Sequence, residues 1–183
     1  ADNDISGNIP TTIKQWENIK TLRLSENRLS GDIPSALYNL TNLMFVDMAE
    51  NQLTGTIPES INQLSNLEEL LVSNNNLSGT LPAEIGELTM LTKLGLANNQ
   101  FSGTIPLSIE NLTTLTDLYL NNNDFSGTIP PGITGLTNLN YLNLGHNRFK
   151  GNIPVGISNL QSLELLWLDY NELSGNIPAE LGD

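Results

Sequence analysis

Residues 22–43 read LRLSENRLSGDIPSALYNLTNL, and this arrangement of leucine, asparagine, glycine and proline returns every 24 residues along the chain. Asparagine recurs without an insertion at Asn3, Asn27, Asn51, Asn75, Asn99, Asn123, Asn147 and Asn171. Glycine keeps the same step from Gly7 to Gly175, and proline keeps it from Pro10 to Pro178. A fixed period of this length is typical of proteins in which small structural units stack side by side.

Each position in the repeat has a physical role. Leu22 and Leu24 alternate with polar positions, which predicts a short strand with one buried face. Asn27 follows where the chain turns, and its amide can donate to and accept from backbone groups that the turn leaves unpaired. We therefore expect the repeated asparagines to form a ladder. Farther along, three leucines spaced by three predict a 3₁₀ turn and not a long α-helix: Leu37, Leu40 and Leu43.

The repeat also predicts the architecture. A unit of this size cannot bury its own apolar side, so neighbouring units must stack, with their strands in one continuous parallel sheet. We predict an α/β solenoid: a curved superhelix of 24-residue units with a parallel sheet on the concave face and 3₁₀ turns on the convex face. Residues 1–183 are predicted to be a single domain of about seven repeats that begins and ends in mid-repeat. Trp16 occupies a leucine position and is predicted to lie in the core.

The pattern L-x-x-N-x-L-S-G-x-I-P-x-x-L, which runs from Asn3 to Leu181, resembles the plant-type class of extracellular leucine-rich repeats. That class occurs in the ectodomains of receptor-like kinases and in polygalacturonase-inhibiting proteins. The resemblance implies a secreted or extracellular binding module. It also implies a second small sheet on the outer flank, formed by the S-G-x-I-P stretch, as at residues 78–82. The paired-cysteine caps of the family are missing, because the chain has no cysteine.

The charge of the chain narrows the classes of partner. It has 20 acidic and 7 basic residues, a net charge of −13, so its field repels phosphate backbones and anionic lipid headgroups. Nucleic acid is therefore not expected as a partner. No apolar run reaches the roughly 18 residues that a membrane-spanning helix requires. We expect the chain itself not to insert in a membrane, although flanking segments could tether it to one.

Candidate binding residues lie at the exposed strand positions, because packing fixes the positions that face the core. Large aromatic residues gather there in the last three repeats, and Trp and Tyr dominate binding hot spots. We predict a concave-face site for a protein or peptide ligand that consists of Tyr119, Tyr141, Asn143, His146, Trp167, Asp169 and Tyr170. The alternative is that these residues are exposed only because no further repeat covers the C-terminal end.

A second candidate surface is acidic. Between Leu29 and Thr92 the sequence has eight carboxylates and no lysine or arginine. Four of these carboxylates are predicted to lie on the strands: Asp47, Glu50, Glu68 and Glu69. Such a surface favours a basic partner. The alternative is a solvated acidic surface that keeps the protein soluble.

Residue patterns that would support catalysis are weak. Glu68 and Glu69 are neighbours on one strand, whereas a glycosidase holds its two carboxylates across a cleft. His146 is the only histidine, and neither a cysteine nor a G-x-S-x-G turn is present to supply a nucleophile. The twelve-residue acidic loop of a calcium site is also missing. We therefore predict a protein that is not an enzyme, with no catalytic residues, no cofactor and no metal site.

Three asparagines fit the N-glycosylation sequon: Asn39, Asn76 and Asn111. All three are predicted to lie off the concave face, and they favour secretion. The alternative is that the repeat pattern itself produces Asn-Leu-Thr and Asn-Leu-Ser.

A regular hydroxyl surface suggests a different function. Threonine recurs at Thr56, Thr80, Thr104 and Thr128, which predicts a threonine row with a spacing of roughly 5 Å. Some plant antifreeze proteins resemble this repeat class. An ice-binding or purely structural solenoid is therefore the alternative to a recognition module.

Overall fold

The structure is a computed structural model that describes residues 3–179. The inner strands form the concave sheet and are β2 (Thr21–Arg23), β4 (Phe45–Asp47), β6 (Glu69–Leu71), β8 (Lys93–Gly95), β10 (Asp117–Tyr119), β12 (Tyr141–Asn143) and β14 (Leu165–Trp167). The flanking strands are β1 (Ser6–Asn8), β3 (Arg28–Asp32), β5 (Gln52–Thr54), β7 (Ser78–Thr80), β9 (Gln100–Gly103), β11 (Asp124–Gly127), β13 (Arg148–Asn152) and β15 (Glu172–Ser174).

The strands pair in parallel, one repeat against the next. The inner sheet of seven strands runs from β2 to β14 in the order of the repeats. The flanking strands form one sheet of three strands, β1 to β5, and one of five, β7 to β15. Two backbone hydrogen bonds of 2.8 Å bridge these two sheets, from the Asn76 N–H to the Leu53 carbonyl and from the Ser78 N–H to the Gly55 carbonyl. The predicted parallel sheet and the predicted second sheet on the flank are both confirmed.

Short 3₁₀ segments form the convex side, as the leucine spacing predicts. They are η1 (Thr11–Gln15), η2 (Ser35–Asn39), η3 (Glu59–Gln63), η4 (Ala83–Glu87), η5 (Leu107–Asn111), η6 (Pro131–Gly135) and η7 (Val155–Asn159). A proline precedes each segment and fixes φ where the chain turns back. Within residues 3–179, no helix has the length and apolar character needed to cross a membrane.

The core is continuous along the solenoid, because apolar residues at the same positions of successive repeats pack against each other. Its C-terminal half contains three fully buried phenylalanines at the same position of successive repeats, Phe101, Phe125 and Phe149. Their ring centroids are 6.1 and 6.3 Å apart and the rings are nearly parallel. Stacked aromatic pairs of this kind add stability beyond the area they bury. These contacts cross repeat interfaces, where a solenoid obtains much of its stability.

The asparagine ladder is confirmed by its hydrogen bonds. In Asn75, which is 8% exposed, the amide nitrogen donates to the carbonyls of Met48 and Val72 at 3.0 and 3.1 Å. Its amide oxygen accepts the N–H of Leu53 at 2.9 Å. Since Met48 and Leu53 belong to the preceding repeat, each asparagine joins two units. The same bonds recur at Asn51, Asn99, Asn123, Asn147 and Asn171.

The prediction that Trp16 lies in the core is wrong. Its side chain is 56% exposed, whereas Leu40 and Leu64, at the same position of later repeats, are 1% and 0% exposed. Those leucines are packed between two neighbouring repeats. In the structure, the first repeat has a neighbour on one side only, so the indole lines an apolar cavity at that end together with Ile9 and Ile13.

Candidate ligand-binding face

Three adjacent inner strands bring the predicted aromatic residues together. The register of β10, β12 and β14 aligns Tyr119 with Asn143 and Asn143 with Trp167. Tyr141 lies two residues before Asn143 on β12, and the register aligns it with Asp117 on β10 and Leu165 on β14. Neighbouring strands in a sheet are about 4.8 Å apart, so these side chains form one contiguous surface. We call Tyr119, Tyr141, Asn143 and Trp167 the strand cluster.

Exposure of the strand cluster is not confined to the last strand. Trp167 and Leu165 on β14 are 39% and 40% exposed. Tyr119 and Tyr141 lie on β10 and β12, which are paired on both sides, and both side chains are still partly exposed. Within residues 3–179, β14 is paired on one side only, which accounts for part of the exposure of Trp167 but not for that of the two tyrosines.

A buried carboxylate fixes the Tyr119 ring. The Tyr119 hydroxyl donates to Asp117 at 3.2 Å, and the Thr116 hydroxyl donates to the other oxygen of the same carboxylate at 2.6 Å. Asp117 is only 7% exposed although it lies on the sheet face that carries the site. Burial, followed by the Asp117 charge and this hydrogen bond, raises the pKa of Tyr119 to about 12. The phenol therefore stays neutral at physiological pH with its proton directed to Asp117.

Tyr141 is held in a similar way by a residue that directly precedes β14. Its hydroxyl donates to the Glu164 carboxylate at 3.1 Å. This hydrogen bond and the charge of Glu164 raise the pKa of Tyr141. Each tyrosine thus has its polar end committed to a carboxylate, which leaves the ring as the part that it can offer to a ligand.

The remaining predicted residues lie in turns and not on strands. The His146 ring stacks on the Tyr170 ring with 4.2 Å between centroids and 16° between planes. The Nε2 atom of His146 is 3.6 Å from the Asp169 carboxylate, and about half of each side chain is exposed. Tyr170 is 74% exposed. We call His146, Asp169 and Tyr170 the turn cluster. It lies just past the carboxyl ends of β12 and β14.

Asn143 connects the two clusters. Its amide oxygen accepts the N–H of Gly145 at 3.1 Å, which closes the turn that leads to His146. Asp47, in the same column of an earlier repeat, accepts the N–H of Ala49 at 3.2 Å in the same manner. Part of the capacity of Asn143 for hydrogen bonds is therefore used within the chain.

A left-handed backbone conformation that the repeat pattern does not predict shapes the turn cluster. Residues directly before the ladder asparagines have φ between 50° and 57°, in the left-handed region: Glu26, Glu50, Asn74, Asn98, Asn122, His146 and Tyr170. Asparagine tolerates this region better than most residues, and its presence at three of these positions was the available signal. The positive φ carries each of these side chains past the sheet, which places His146 beside Tyr170.

The acidic surface is less regular than predicted. Asp47 and Glu69 lie on β4 and β6, as expected. The prediction that Glu50 and Glu68 are strand residues is wrong, because Glu50 lies in the left-handed turn and Glu68 precedes β6. Asp47, Glu68 and Glu69 are partly buried. In the part of the chain that the structure describes, no group of three or more His, Asp or Glu side chains could hold a metal ion.

Stacked 24-residue units with an inner parallel sheet and an asparagine ladder define a leucine-rich-repeat solenoid. The chain belongs to the leucine-rich-repeat family, whose model matches residues 17–77, 89–149 and 113–173. Its repeats are of the plant-type extracellular class. Among curated proteins, no sequence matches this chain.

Two plant receptors illustrate the similarity to solved structures. The Arabidopsis receptor kinase HAESA, solved with the peptide hormone IDA and the co-receptor SERK1, is 39% identical with a TM-score of 0.95. The match covers 100% of this chain and 31% of HAESA. The plant peptide hormone receptor RGFR1, solved with RGF2, is 38% identical with a TM-score of 0.80 over 98% of this chain and 33% of the receptor. The chain thus spans about a third of the length of these receptors.

A third solved structure is a plant ice-binding protein. It is 23% identical, with a TM-score of 0.72 over 97% of this chain and 73% of that protein. Similarity at this level shows a shared fold.

Proposed function

We propose that this chain is a non-enzymatic recognition module, part of an extracellular receptor or inhibitor, that binds a protein or peptide on its concave face. The observation that carries this function is the alignment of Tyr119, Tyr141 and Trp167 on three adjacent strands, with both tyrosine hydroxyls held by carboxylates. Support comes from two plant relatives, one solved with a peptide hormone and one described as a peptide hormone receptor.

Fixed rings favour binding because less conformational freedom is lost when a ligand docks. The hydrogen bonds of Tyr119 to Asp117 and of Tyr141 to Glu164 hold the rings before any ligand arrives. Three strands span about 10 Å, a distance that an extended segment of about three residues covers. The strand cluster is therefore suited to a short peptide segment that crosses the strands, with the turn cluster at its edge.

Selection of peptides from a displayed random library tests this function. The immobilised chain is used for selection, and a variant with Tyr119→Ser, Tyr141→Ser and Trp167→Ser is used for depletion. We expect an enriched set of peptides that bind the parent chain at least about thirtyfold more tightly than the variant, as measured by calorimetry. Enriched peptides that bind both proteins equally would show that the aromatic residues are not the site.

The acidic residues are proposed to steer a basic ligand toward the face. We expect Glu68→Lys with Glu69→Lys to slow the association of positively charged selected peptides by about threefold or more at low salt, and to change dissociation little. Added salt should reduce the difference because it screens exposed charges. Stopped-flow measurements across a salt series give both rates.

A matched control for this charge reversal is available away from the concave face. Glu59 on η3 and Glu172 on β15 are both exposed, and reversing them changes the net charge by the same amount. If that pair slowed association as much as Glu68 and Glu69 do, only the total charge would matter, and steering by the face would be excluded.

Ice binding is the second candidate, and the flanking sheet favours it. Thr56, Thr80, Thr104 and Thr128 are all exposed in one column. The methyl group of each lies against the next glycine: a Cβ atom at Gly103 would be 2.9 Å from Cγ2 of Thr80. This contact gives the threonines one common orientation. The test is thermal hysteresis of the parent chain and of the double variant Thr80→Tyr, Thr104→Tyr. Hysteresis that is present in the parent and lost in the variant would overturn peptide recognition as the function in favour of ice binding.

A further inference from the structure

The three sequon asparagines lie at the surface and away from the concave sheet. Asn39, Asn76 and Asn111 are all exposed, and each is followed by leucine and then by threonine or serine. We propose that these three side chains are acceptors of N-linked oligosaccharides when the chain passes through a secretory pathway. This inference rests on the extracellular localisation in the proposed function and not on the ligand.

Two of the acceptors occupy the same place in different repeats. Asn39 is the last residue of η2, and Asn111 is the last residue of η5. The leucines that follow, Leu40 and Leu112, are 1% and 0% exposed, so they anchor the chain in the core directly beside each asparagine. The chain is therefore fixed at a point from which the amide faces solvent on the convex side, where an attached glycan displaces no packed side chain.

The third acceptor lies on the flank. Asn76 lies two residues before the start of β7, and its backbone N–H donates to the Leu53 carbonyl at 2.8 Å. Leu77 is fully buried, whereas the Asn76 side chain is exposed. The Ser78 hydroxyl donates to the Gly55 carbonyl at 3.4 Å. Asn76 thus combines an anchored backbone with an accessible amide, as Asn39 and Asn111 do.

The modification transfers a sugar from a lipid-linked oligosaccharyl pyrophosphate. The amide nitrogen of asparagine forms a bond to the anomeric carbon, and the bond between that carbon and the phosphate oxygen breaks. The lipid pyrophosphate leaves with the electron pair, and the amide loses one proton to a base of the transferase. Serine or threonine two residues after the asparagine is the feature that makes it an acceptor.

The positions of the glycans separate the two candidate functions. Glycans at Asn39 and Asn111 cover the convex side and leave the strand cluster open. Asn76 is four residues before Thr80 on the same flanking segment, at most about 13 Å along the chain at 3.3 Å per residue. We expect an oligosaccharide there to reach the exposed threonines. We therefore expect the glycosylated protein to keep its concave face available and to lose access to the threonine row that ice binding would need.

The sequence provides a matched control at Asn159. This residue is exposed and ends η7 as Asn111 ends η5, and Leu160 after it is 4% exposed. The Gln161 N–H donates to the Asn159 carbonyl at 2.9 Å, just as the Thr113 N–H donates to the Asn111 carbonyl. Only the third residue differs, because Gln161 stands where the sequon needs serine or threonine.

The test is secretion of the whole chain, with a secretion signal, from cultured eukaryotic cells. Enzymatic release of the glycans in heavy-oxygen water converts each occupied asparagine to a labelled aspartate, which peptide mass spectrometry locates. We expect label at Asn39, Asn76 and Asn111 and none at Asn159. Thr41→Ala, Ser78→Ala and Thr113→Ala should each remove one glycan, and Gln161→Thr should add one at Asn159.

The opposite results are equally clear. A secreted chain without label at one of the three asparagines would overturn the assignment for that residue, and label at none would overturn the proposal. Asn→Gln variants at the same positions should lose the same glycans, which separates loss of the acceptor from misfolding. Peptide binding is measured on protein produced in bacteria, which does not depend on these outcomes. The glycosylation proposal and the proposed function can therefore fail independently of each other.

Discussion

Replacing Asn99 with leucine is expected to lower the free energy of unfolding by about 1–3 kcal/mol, the cost of leaving a buried backbone group without a partner. The amide oxygen of Asn99 accepts the N–H of Leu77 at 2.9 Å. Leucine has a similar size but cannot accept this hydrogen bond. Because Leu77 belongs to the preceding repeat, the substitution weakens the interface between two units.

The carbonyl groups that accept hydrogen bonds from Asn99 lose less in the Asn99→Leu variant than the Leu77 N–H does. Val72 also accepts from Asn75 at 3.1 Å, and Leu96 also accepts from Asn123 at 3.0 Å. The ladder therefore shares its acceptors between successive rungs. We expect the cost of Asn99→Leu to come mainly from the one N–H that is left unpaired, and loss of several rungs to cost more than the sum of single losses.

Urea denaturation of Asn99→Leu against Asn138→Leu measures the difference. Asn138 is exposed and donates to a single carbonyl, that of Thr113, at 2.7 Å. The same chemical change at this surface position should stay within about 0.5 kcal/mol. Equal losses in the two variants would mean that the ladder adds nothing beyond an ordinary surface hydrogen bond.

The fold could be predicted almost completely because every inner unit packs between two units like itself. Two signals are local: the alternation at Leu22 and Leu24 predicts a strand, and the spacing by three at Leu37 and Leu40 predicts a 3₁₀ turn. The 24-residue period then determines which residues meet across the interface between repeats. Trp16 shows the limit of this reasoning. Its column predicts a core position only if repeats pack on both sides, and the first repeat has a neighbour on one side.

The alignment of the candidate residues across neighbouring strands could be predicted from the sequence, but their side-chain contacts could not. A 24-residue period in a parallel sheet places Tyr119, Asn143 and Trp167 side by side, and the structure shows this register. The period does not predict that Asp117 is buried and accepts from the Tyr119 hydroxyl, because that depends on rotamers of several neighbouring side chains. Nor does it predict the stack of His146 on Tyr170, which depends on a left-handed backbone at both residues.

Anchored tyrosines give the two halves of the face different roles. The rings of Tyr119 and Tyr141 are held by carboxylates within the chain. Trp167 lies beyond them on the last described inner strand, and the structure shows no such carboxylate bond for it in residues 3–179. Its indole can supply both apolar area and a hydrogen-bond donor to a ligand. Trp167 is therefore the residue whose loss should weaken binding most.

Trp167→Ala is accordingly expected to lower the affinity for the selected peptides by about thirtyfold or more, since truncation of a hot-spot tryptophan commonly costs 2 kcal/mol or more. Trp16→Ala is the matched control, because Trp16 is 56% exposed and far from β14 in the repeat order, whereas Trp167 is 39% exposed. Calorimetry on both variants, with circular dichroism to confirm folding, separates a binding residue from an exposed end. If Trp167→Ala bound as the parent does, the exposure of Trp167 would reflect only its place on the last described inner strand, and the aromatic residues would be withdrawn as the site.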